Sequence, residues 1–421
     1  MKLMRTALAT LLAASLALTG CGKGDEGGKK EGGKIELTVA TFNEFGYDNL
    51  FKKYMDQNPN IVVKHKKAAT SDEARQNLLT GLAAGKGLAD VEGVEVAWFA
   101  ELGKYGAKFA DLKDDALKDR WLDWKVKAAT LEDGKLLGYG TDIGPEAVCY
   151  RADLFKKAGL PTDREEVAKL LEGDWDKYFE VGKQFTSKTK IPWYDGASGL
   201  YNGMIQQLAN PYEESDGKPK PLESNTDVKN VYDQLVKHKD LSAGLGQWSE
   251  DWTAAFQKSG FATMLCPAWM TGVIEGNAKG VEGWDIANVF PGGGGNWGGS
   301  YLTVPAQGKN VEEAKKLAAW LTAPEQQIEA FKTKGTFPSQ TKALDDKAVL
   351  DQKNPFFNDA PVGKIFSDRA KAIKTQPFVG PNFFTINTVV ADAITRFDVE
   401  KKNPDESWKQ ALTAYKELSL K

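Results

Sequence analysis

The sequence predicts an α/β protein. Runs of alternating apolar and polar residues repeatedly precede segments whose apolar residues recur at helical spacing. The chain has 421 residues, 41% hydrophobic and 27% charged, which is ordinary for a folded protein of about two or three domains. Strands that alternate with helices favour a mostly parallel sheet covered by helices on both faces.

The first third of the chain carries this alternation most clearly. Apolar residues such as Leu50, Phe51 and Tyr54 fall on one side of a predicted helix, and Leu78 and Leu82 do the same in the next one. The predicted elements are, in order, a strand at 35–41, a helix at 46–58, a strand at 61–65, a helix at 72–84, a strand at 91–94 and a helix that carries Trp98.

After residue 142 the pattern repeats with different residues. It predicts a strand at 147–151, helices at 153–158, 174–187, 200–208, 227–237 and 252–258, and a strand at 261–266. A glycine-dense loop at 291–299 leads into a strand at 301–304, and apolar stripes predict helices at 311–321 and 386–397. Pro324 suits the start of a further helix, where its missing N–H is harmless.

The N-terminus predicts an exported chain. Lys2 and Arg5 precede an uncharged apolar run at 6–20, which is shorter than the about 20 residues that span a membrane. We therefore expect residues 1–20 to be a signal peptide.

The end of this segment, Leu-Thr-Gly-Cys, resembles the lipobox of bacterial lipoproteins, in which the cysteine carries the lipid. We predict lipidation at Cys21. Residues 21–34 contain no apolar side chain after the cysteine, so we expect them to be a flexible linker between lipid and domain. The body would then be held at the outer face of the cytoplasmic membrane by the lipid alone.

Charge and histidine content exclude several classes of protein. The formal charge is −3, from 55 basic and 58 acidic residues, so the chain lacks the cationic excess that nucleic-acid binding needs. With only His65 and His238, a histidine-rich metal centre is excluded, and we expect no metal and no cofactor.

Two cysteines remain after the proposed lipidation site, Cys149 and Cys266. An even pair in an exported chain is a disulfide candidate. The alternative is two buried free thiols, because cysteine is among the most buried residue types.

Catalytic motifs are not evident. The sequence contains no G-x-S-x-G nucleophile elbow, and both histidines stand between lysines, which suits a solvated face. We therefore expect no enzyme. The alternative is a secreted carbohydrate-active enzyme, a glycosidase or lyase, whose carboxylate pair the sequence does not single out.

Aromatic residues in loops point to a sugar ligand. The chain has 12 Trp and 12 Tyr. Trp297 lies in the glycine loop, Trp269 follows a strand pattern, and Trp193 and Tyr194 lie between predicted elements. A sugar presents flat C–H faces that rest on aromatic rings, and hydroxyls that pair with carboxylates and amides. The alternative for each ring is a place in a core.

Several stretches together resemble family 1 extracellular solute-binding proteins, the substrate-capturing lipoproteins of carbohydrate ABC importers. The stretches are the lipobox, TFNEFGYDNLFKKYMDQNPNI, YGTDIGPEAVCYRADLFKKAGLP, CPAWMTGVI and GGGGNWGGSYLTVPA. The resemblance covers residues 18–421. Within the family, FNEFGY, PEAVCYR and CPAWM are most similar to Gram-positive binders of cello-oligosaccharides and xylo-oligosaccharides.

The resemblance implies a periplasmic-binding-protein-like fold of type II, with two α/β lobes and a ligand cleft between them. Connecting segments are expected near 142–145, 298–301 and 336–339. Lobe one would comprise 35–143 plus 300–337, and lobe two 144–299 plus 338–421. Closure by a hinge would then present a surface to the transporter.

The same resemblance implies the site residues. Asn43 and Glu44 match the loop after the first strand, and Asp142 matches the acidic residue of a connecting segment, although Gly-Thr precedes it here instead of Pro-Thr. The full set of expected ligand-binding residues is Asn43, Glu44, Arg75, Trp98, Asp142, Trp193, Tyr194, Trp269 and Trp297, with Arg75 as a donor to sugar hydroxyls. We expect a monomer whose partners are a neutral oligosaccharide and the permease subunits of the importer.

Overall fold

A computed structural model describes residues 33–420 of the chain. The predicted signal peptide and Cys21 lie outside these residues. The strands are β1 (Ile35–Phe42), β2 (Ile61–Ala68), β3 (Val91–Glu95), β4 (Gly138–Gly140), β5 (Asp142–Ile143), β6 (Glu146–Arg151), β7 (Thr263–Pro267), β8 (Trp284–Ala287), β9 (Ser300–Thr303) and β10 (Phe337–Pro338).

The helices run through the whole described chain. They are α1 (Asp48–Gln57), α2 (Ser71–Ala84), α3 (Phe99–Leu102), α4 (Asp123–Ala128), α5 (Ala152–Lys157), α6 (Arg164–Leu171), α7 (Trp175–Thr189), α8 (Ala197–Ile205), α9 (Thr226–Lys237), α10 (Glu250–Gln257), α11 (Met270–Asn277), α12 (Val311–Leu321), α13 (Pro324–Lys334), α14 (Thr341–Leu344), α15 (Lys347–Leu350), α16 (Val362–Ala372), α17 (Phe383–Asp398) and α18 (Pro404–Glu417). Within residues 33–420, no helix is long and apolar enough to cross a membrane.

The first sheet has five strands in the order β2-β1-β3-β9-β4. Strands β2, β1 and β3 are parallel, whereas β9 runs antiparallel to both of its neighbours. Its core joins Val39 of β1 and Leu302 of β9 to Leu82 of α2 and Leu317 of α12, all fully buried or nearly so. Helices α2 and α12 therefore cover this sheet.

The second sheet has three strands in the order β7-β6-β8. Side chains of the central strand β6 alternate between two cores, as the two-residue period of a strand requires. Val148 and Tyr150 face a core that includes helices α7, α8 and α17. Ala147 and Cys149 face another that includes α10, α11 and α16.

The α/β class is confirmed, and the predicted strands and helices are present with bounds shifted by a few residues. The helix expected at 200–208, for instance, runs over Ala197–Ile205, and Trp98 lies in a 3₁₀ turn at Val96–Trp98. The expected parallel pairing is wrong for the second sheet, because β6 is antiparallel to β7 and β8.

The prediction of parallel strands fails where the chain passes from one sheet to the other. Both β6 and β9 follow such a passage, so neither is delivered by the crossover helix that makes neighbouring strands parallel. At the passage, β5 pairs antiparallel with β10, with Asp142 opposite Pro338 and Ile143 opposite Phe337.

The structure joins Cys149 and Cys266 in a disulfide between β6 and β7, with their Cα atoms 5.4 Å apart. Both cysteines are fully buried. The bridge links residues 117 positions apart in the chain, so it restricts the unfolded chain over a long loop.

Glu146, the first residue of β6, is fully buried, and neither of its carboxylate oxygens has a hydrogen-bond partner within the described residues. A Cβ atom on Gly295 would lie 2.6 Å from Glu146 Oε2, so the acid lies against the glycine loop. Burial raises the pKa of Glu146 well above its usual value. The folded state therefore favours the neutral acid.

Replacing both cysteines by serine should lower the free energy of unfolding by about 2–5 kcal/mol, because the unfolded chain regains the entropy that the bridge removes. Urea denaturation of the variant and the wild type measures this difference. The wild-type protein should also be about 2 Da lighter than its reduced form, owing to the two hydrogens lost on oxidation. Two alkylatable thiols in the native exported protein would contradict the bridge.

Glu146→Gln should remove a pH dependence of stability. The pKa of Glu146 is raised from 4.5 on folding, so its contribution to wild-type stability is complete below about pH 4.5 and is lost as the pH rises towards the folded pKa. The stability of the variant relative to wild type should therefore grow by about 1.4 kcal/mol per pH unit in that window.

Denaturation between about pH 5 and about pH 7 measures this slope. Glu132→Gln, at an exposed position, controls for the chemical change itself. A difference between Glu146→Gln and wild type that is the same at every pH would show that Glu146 does not titrate differently in the two states.

Candidate functional site

A cavity of about 440 Å³ lies between the elements of the two sheets, a volume typical of small-molecule sites. On the first side it is lined by the segments that follow β1 and β3 and by the N-terminus of α2. On the other side it is lined by α8, α11, α17 and the loops before α10 and β9. The carboxyl ends of parallel strands are the usual ligand edge of such sheets.

Four tryptophans line the cavity, and three of them are partly accessible: Trp248, Trp269 and Trp297. The rings of Trp248 and Trp269 are nearly parallel, with centroids 6.1 Å apart and an interplanar angle of 16°. Trp297 meets Trp269 edge-on at 5.5 Å. Trp98 also borders the cavity, but it is only 3% exposed and packs against Phe42.

Trp248 was not predicted from the sequence, although it is 40% exposed in the structure. Its backbone has φ +72°, a left-handed conformation that is unfavourable for a bulky residue. Strain of this kind is found preferentially at functional sites. The sequence does contain a signal for an exposed ring at Trp248, because Gly244 and Gly246 precede it just as glycines surround Trp297.

The glycine loop is held by a set of short contacts around Trp297. The Trp297 N–H donates to Gly144 O at 2.8 Å, and Trp269 Nε1 donates to Trp297 O at 2.9 Å. The Gly144 N–H donates to Asn296 Oδ1 at 3.0 Å. A Cβ atom on Gly144 would lie 1.9 Å from Trp297 O, so this approach requires glycine at position 144.

Asn43 and Glu44, two of the residues expected to bind the ligand, line the cavity after β1. Asn43 has φ +46°, which asparagine tolerates better than most residues. Glu44 is half-buried and contacts Lys67 Nζ at 2.6 Å and Lys334 Nζ at 3.5 Å. Burial by itself would raise the pKa of Glu44, but the two lysines outweigh it and hold the pKa below its usual value.

Glu95 and Asp142 are two further carboxylates in the cavity wall. Asp142 Oδ1 accepts from Thr141 Oγ1 at 2.7 Å and from the Ser300 N–H at 2.8 Å, so it joins the start of β9 to β5. Glu95 Oε2 accepts from the Ala97 N–H at 2.9 Å. Burial raises the pKa of Glu95 to about 7, against the opposing effect of this hydrogen bond.

The N-terminus of α2 brings Thr70, Ser71 and Asp72 to the cavity. Thr70 caps the helix, and its Oγ1 accepts from the Glu73 N–H at 3.2 Å. With Asp72, the ionisable residues that line the cavity are all acidic: Glu44, Asp72, Glu95 and Asp142. No lysine, arginine or histidine is among the described lining residues.

Two of the expected site residues lie elsewhere. Trp193 and Tyr194 are fully buried in the core of the second sheet, where Trp193 packs against Phe155 and Phe185 and the Tyr194 hydroxyl donates to His238 O at 3.2 Å. The structure does not bring either residue to the cavity. Trp193 and Tyr194 lie between two elements in the sequence, but they fill a core because β7 and α7 pack over their rings.

Arg75 does not line the cavity either. Its guanidinium pairs with Glu101 and lies over the ring of Phe384, with Cζ 4.9 Å from the ring centroid. Phe384 does line the cavity. Arg75 therefore contacts α17 at the cavity edge instead of donating into the cavity.

The cavity can hold a ligand by stacking and by accepting hydrogen bonds. Aromatic faces and carboxylate oxygens are both accessible in it. Within residues 33–420, no group of three or more His, Cys, Asp or Glu side chains is arranged to hold a metal ion.

Comparisons with known proteins agree with this architecture. The family described as "Bacterial extracellular solute-binding protein" matches residues 49–357. The chain is 29% identical over 340 residues to the arabinooligosaccharide-binding protein of Bacillus subtilis (strain 168), a match that covers 76% of each chain.

Solved structures show the same fold. A crystal structure described as "Extracellular solute-binding protein family 1" is 50% identical, with a TM-score of 0.80, and the match covers 91% of this chain and 99% of that one. The ABC transporter associated binding protein of B. animalis subsp. lactis Bl-04, in complex with beta-1,6-galactobiose, is 20% identical, with a TM-score of 0.77 and coverage of 91% and 97%.

The fold is the two-lobed α/β fold of periplasmic sugar-binding proteins. The matched family spans most of the chain, and the similarity to the family 1 structure extends over nearly all of that protein. The chain belongs to the family 1 bacterial extracellular solute-binding proteins.

Proposed function

We propose that this protein captures a neutral oligosaccharide in the cavity between its lobes and delivers it to the permease of an ABC importer. The observation that carries the proposal is the combination of accessible tryptophan rings with acidic hydrogen-bond acceptors in one cavity. Each sugar unit needs both, because its ring faces are apolar and its rim consists of hydroxyls.

The charge of the lining favours a ligand without acidic groups. The hydroxyls of a neutral sugar can donate to the carboxylates of Glu95 and Asp142, which are charge-assisted acceptors. A carboxylate or phosphate on the ligand would instead face like charges, with no cation among the described lining residues to pair with it.

Three related classes of oligosaccharide are candidates for the ligand. The resemblance of the sequence motifs favours cello-oligosaccharides or xylo-oligosaccharides, and this stays a prediction. The name of the Bacillus subtilis relative adds arabinooligosaccharides as a candidate class. All three present flat ring faces to tryptophan.

The lobe bounds deduced from the sequence are part of the proposal. Lobe one, 35–143 plus 300–337, would contain the five-stranded sheet, and lobe two, 144–299 plus 338–421, the three-stranded sheet. The pairing of β5 with β10 and the contact of Asp142 with Ser300 would form the hinge region. Hinge closure around the sugar would exclude water from the cavity.

The proposal also includes anchoring by a lipid on Cys21, which lies outside the described residues. The chain would act as a monomer at the outer face of the cytoplasmic membrane, with the permease subunits as its protein partners. The alternative of a carbohydrate-active enzyme is not favoured, because the relatives found are named as binding proteins.

Calorimetric titration with cello-, xylo- and arabinooligosaccharides should show saturable binding of at least one class. Chromatography after prolonged incubation should show the sugars unchanged. Oligosaccharides of the same backbone that carry glucuronic acid should bind more weakly at the cavity, because like charges would meet. Turnover of any sugar, or the absence of binding to any of the three classes, would contradict the proposed function.

Trp248→Ala should weaken sugar binding by about tenfold, or about 1.4 kcal/mol, by removing one stacking face. The melting temperature without ligand should change little, because Trp248 is 40% exposed. Val399→Ala is a matched control, since Val399 is 39% exposed and does not line the cavity.

Thermal denaturation and calorimetry of both variants provide the test. Normal affinity in Trp248→Ala would show that this ring does not contact the sugar. Trp297 is a less direct probe, although its stacking on a sugar stays a prediction. The Trp297 carbonyl accepts a hydrogen bond from Trp269, and the Trp297 ring packs against a core. Replacing Trp297 would therefore disturb both the position of Trp269 and the packing of that core.

A further inference from the structure

Lys125, in the short helix α4, is fully buried, and its Nζ atom has no hydrogen-bond partner within the described residues. Lysine is rarely buried completely unless it is paired, because an unpaired ammonium in a low-dielectric interior costs several kcal/mol, to order of magnitude. Its neighbour Lys127 in the same helix is exposed. The burial of Lys125 is therefore specific to this position and needs an explanation.

The ammonium lies where the segments that connect the two sheets meet. A Cβ atom on Gly299 would lie 2.9 Å from Lys125 Nζ and 2.8 Å from Asp142 O. A Cβ atom on Gly140 would lie 2.9 Å from Lys125 Cγ and 3.0 Å from Ser339 Oγ. Gly299 lines the cavity, so the ammonium lies beside a residue of the cavity wall.

Aromatic and acidic groups surround the ammonium. Nζ lies 3.9 Å from the ring centroid of Tyr301, a cation–π contact, and the Tyr301 hydroxyl donates to Lys125 O at 2.9 Å. The titratable groups around Nζ are Tyr301 of β9, which it contacts, and Asp142 of β5 and Glu95 of β3, whose charges act on it. A Cβ atom on Gly298, the residue before Gly299, would lie 3.7 Å from Glu95 Oε1, so the two neighbouring glycines bring the ammonium and this carboxylate to the same segment. Asp142 and Glu95 also line the cavity.

We propose that Lys125 is a positioning residue of the sugar site, whose buried ammonium favours the ionised form of Glu95, an acceptor for a sugar hydroxyl. This inference rests on the proposed function and adds to it a residue that does not itself touch the sugar.

The electrostatics of the two groups support this role. Burial raises the pKa of Glu95, and Lys125 is among the groups that oppose the rise. Burial lowers the pKa of Lys125, and Asp142 and Glu95 oppose the fall. Each charge therefore makes the other less costly in the same low-dielectric region. Without the ammonium, Glu95 would be protonated at a higher pH and would lose strength as an acceptor.

Lys125→Met tests the proposal, because it keeps the length and apolar volume of the side chain and removes the charge. Lys127→Met is the matched control on the exposed side of the same helix. We expect Lys125→Met to weaken binding of the best oligosaccharide at least tenfold at neutral pH, because the ionised form of Glu95 then loses the positive charge that favours it.

The pH profile of binding gives a readout that a purely structural role would not move. Affinity should fall on acidification as Glu95 takes up a proton, and the midpoint of this fall should lie at higher pH in Lys125→Met than in wild type. In a Glu95→Gln background, where residue 95 can no longer ionise, Lys125→Met should have a much smaller effect on affinity.

Parallel losses of stability and affinity in Lys125→Met, with an unshifted pH midpoint, would show that the lysine only packs. Unchanged affinity and an unchanged pH profile would also overturn the inference, while leaving the proposed function intact. Failure of the wild-type protein to bind any of the oligosaccharides would contradict the proposed function itself, and this inference with it.

Discussion

Hydrogen bonds of Thr141 and Asp142 with Ser300 hold together two chain segments of the cavity wall, here called the cavity floor. Asp142 Oδ1 accepts from the Ser300 N–H at 2.8 Å, and the Thr141 N–H donates to Ser300 O at 2.9 Å. Both backbone groups of Ser300 therefore have a partner, as a low-dielectric site requires. Because Gly299 precedes Ser300 with φ +112°, the floor presents bare backbone to the cavity on one side and to Lys125 on the other.

The two sides of the cavity contribute different chemistry. The segments after β1 and β3 supply Asn43, Glu44 and Glu95, which are polar. The opposite side supplies the accessible rings of Trp248 and Trp269. A sugar that rests on the rings and donates its hydroxyls to the carboxylates would contact both sides at once. Binding energy would then favour the closed arrangement of the lobes over the open one.

Much of the fold could be predicted from the sequence, because the periodicity of β1, α2 or α17 follows from which face each element buries. Strand direction after a passage between sheets could not, since no local pattern encodes it. Loop composition pointed to Trp269, Trp297 and Trp193 alike, yet the first two line the cavity and Trp193 is buried in a core. A ring between two elements is exposed or buried according to which helix closes over it, and that is a long-range property.

Contacts between residues that are far apart in the sequence could not be predicted either. The contact of Arg75 with Glu101 and Phe384 joins three helices, and Arg75 does not line the cavity. Trp248 could have been found from its neighbouring glycines, whereas the burial of Lys125 in a short helix has no sequence signature.

A crystal structure of the protein with its best-binding oligosaccharide would test the central claim most directly. The account predicts sugar rings stacked on Trp248 or Trp269, with hydroxyls within hydrogen-bond distance of Glu95 and Asp142. A sugar bound outside this cavity, or bound in it without contact to any of these tryptophans, would contradict the account.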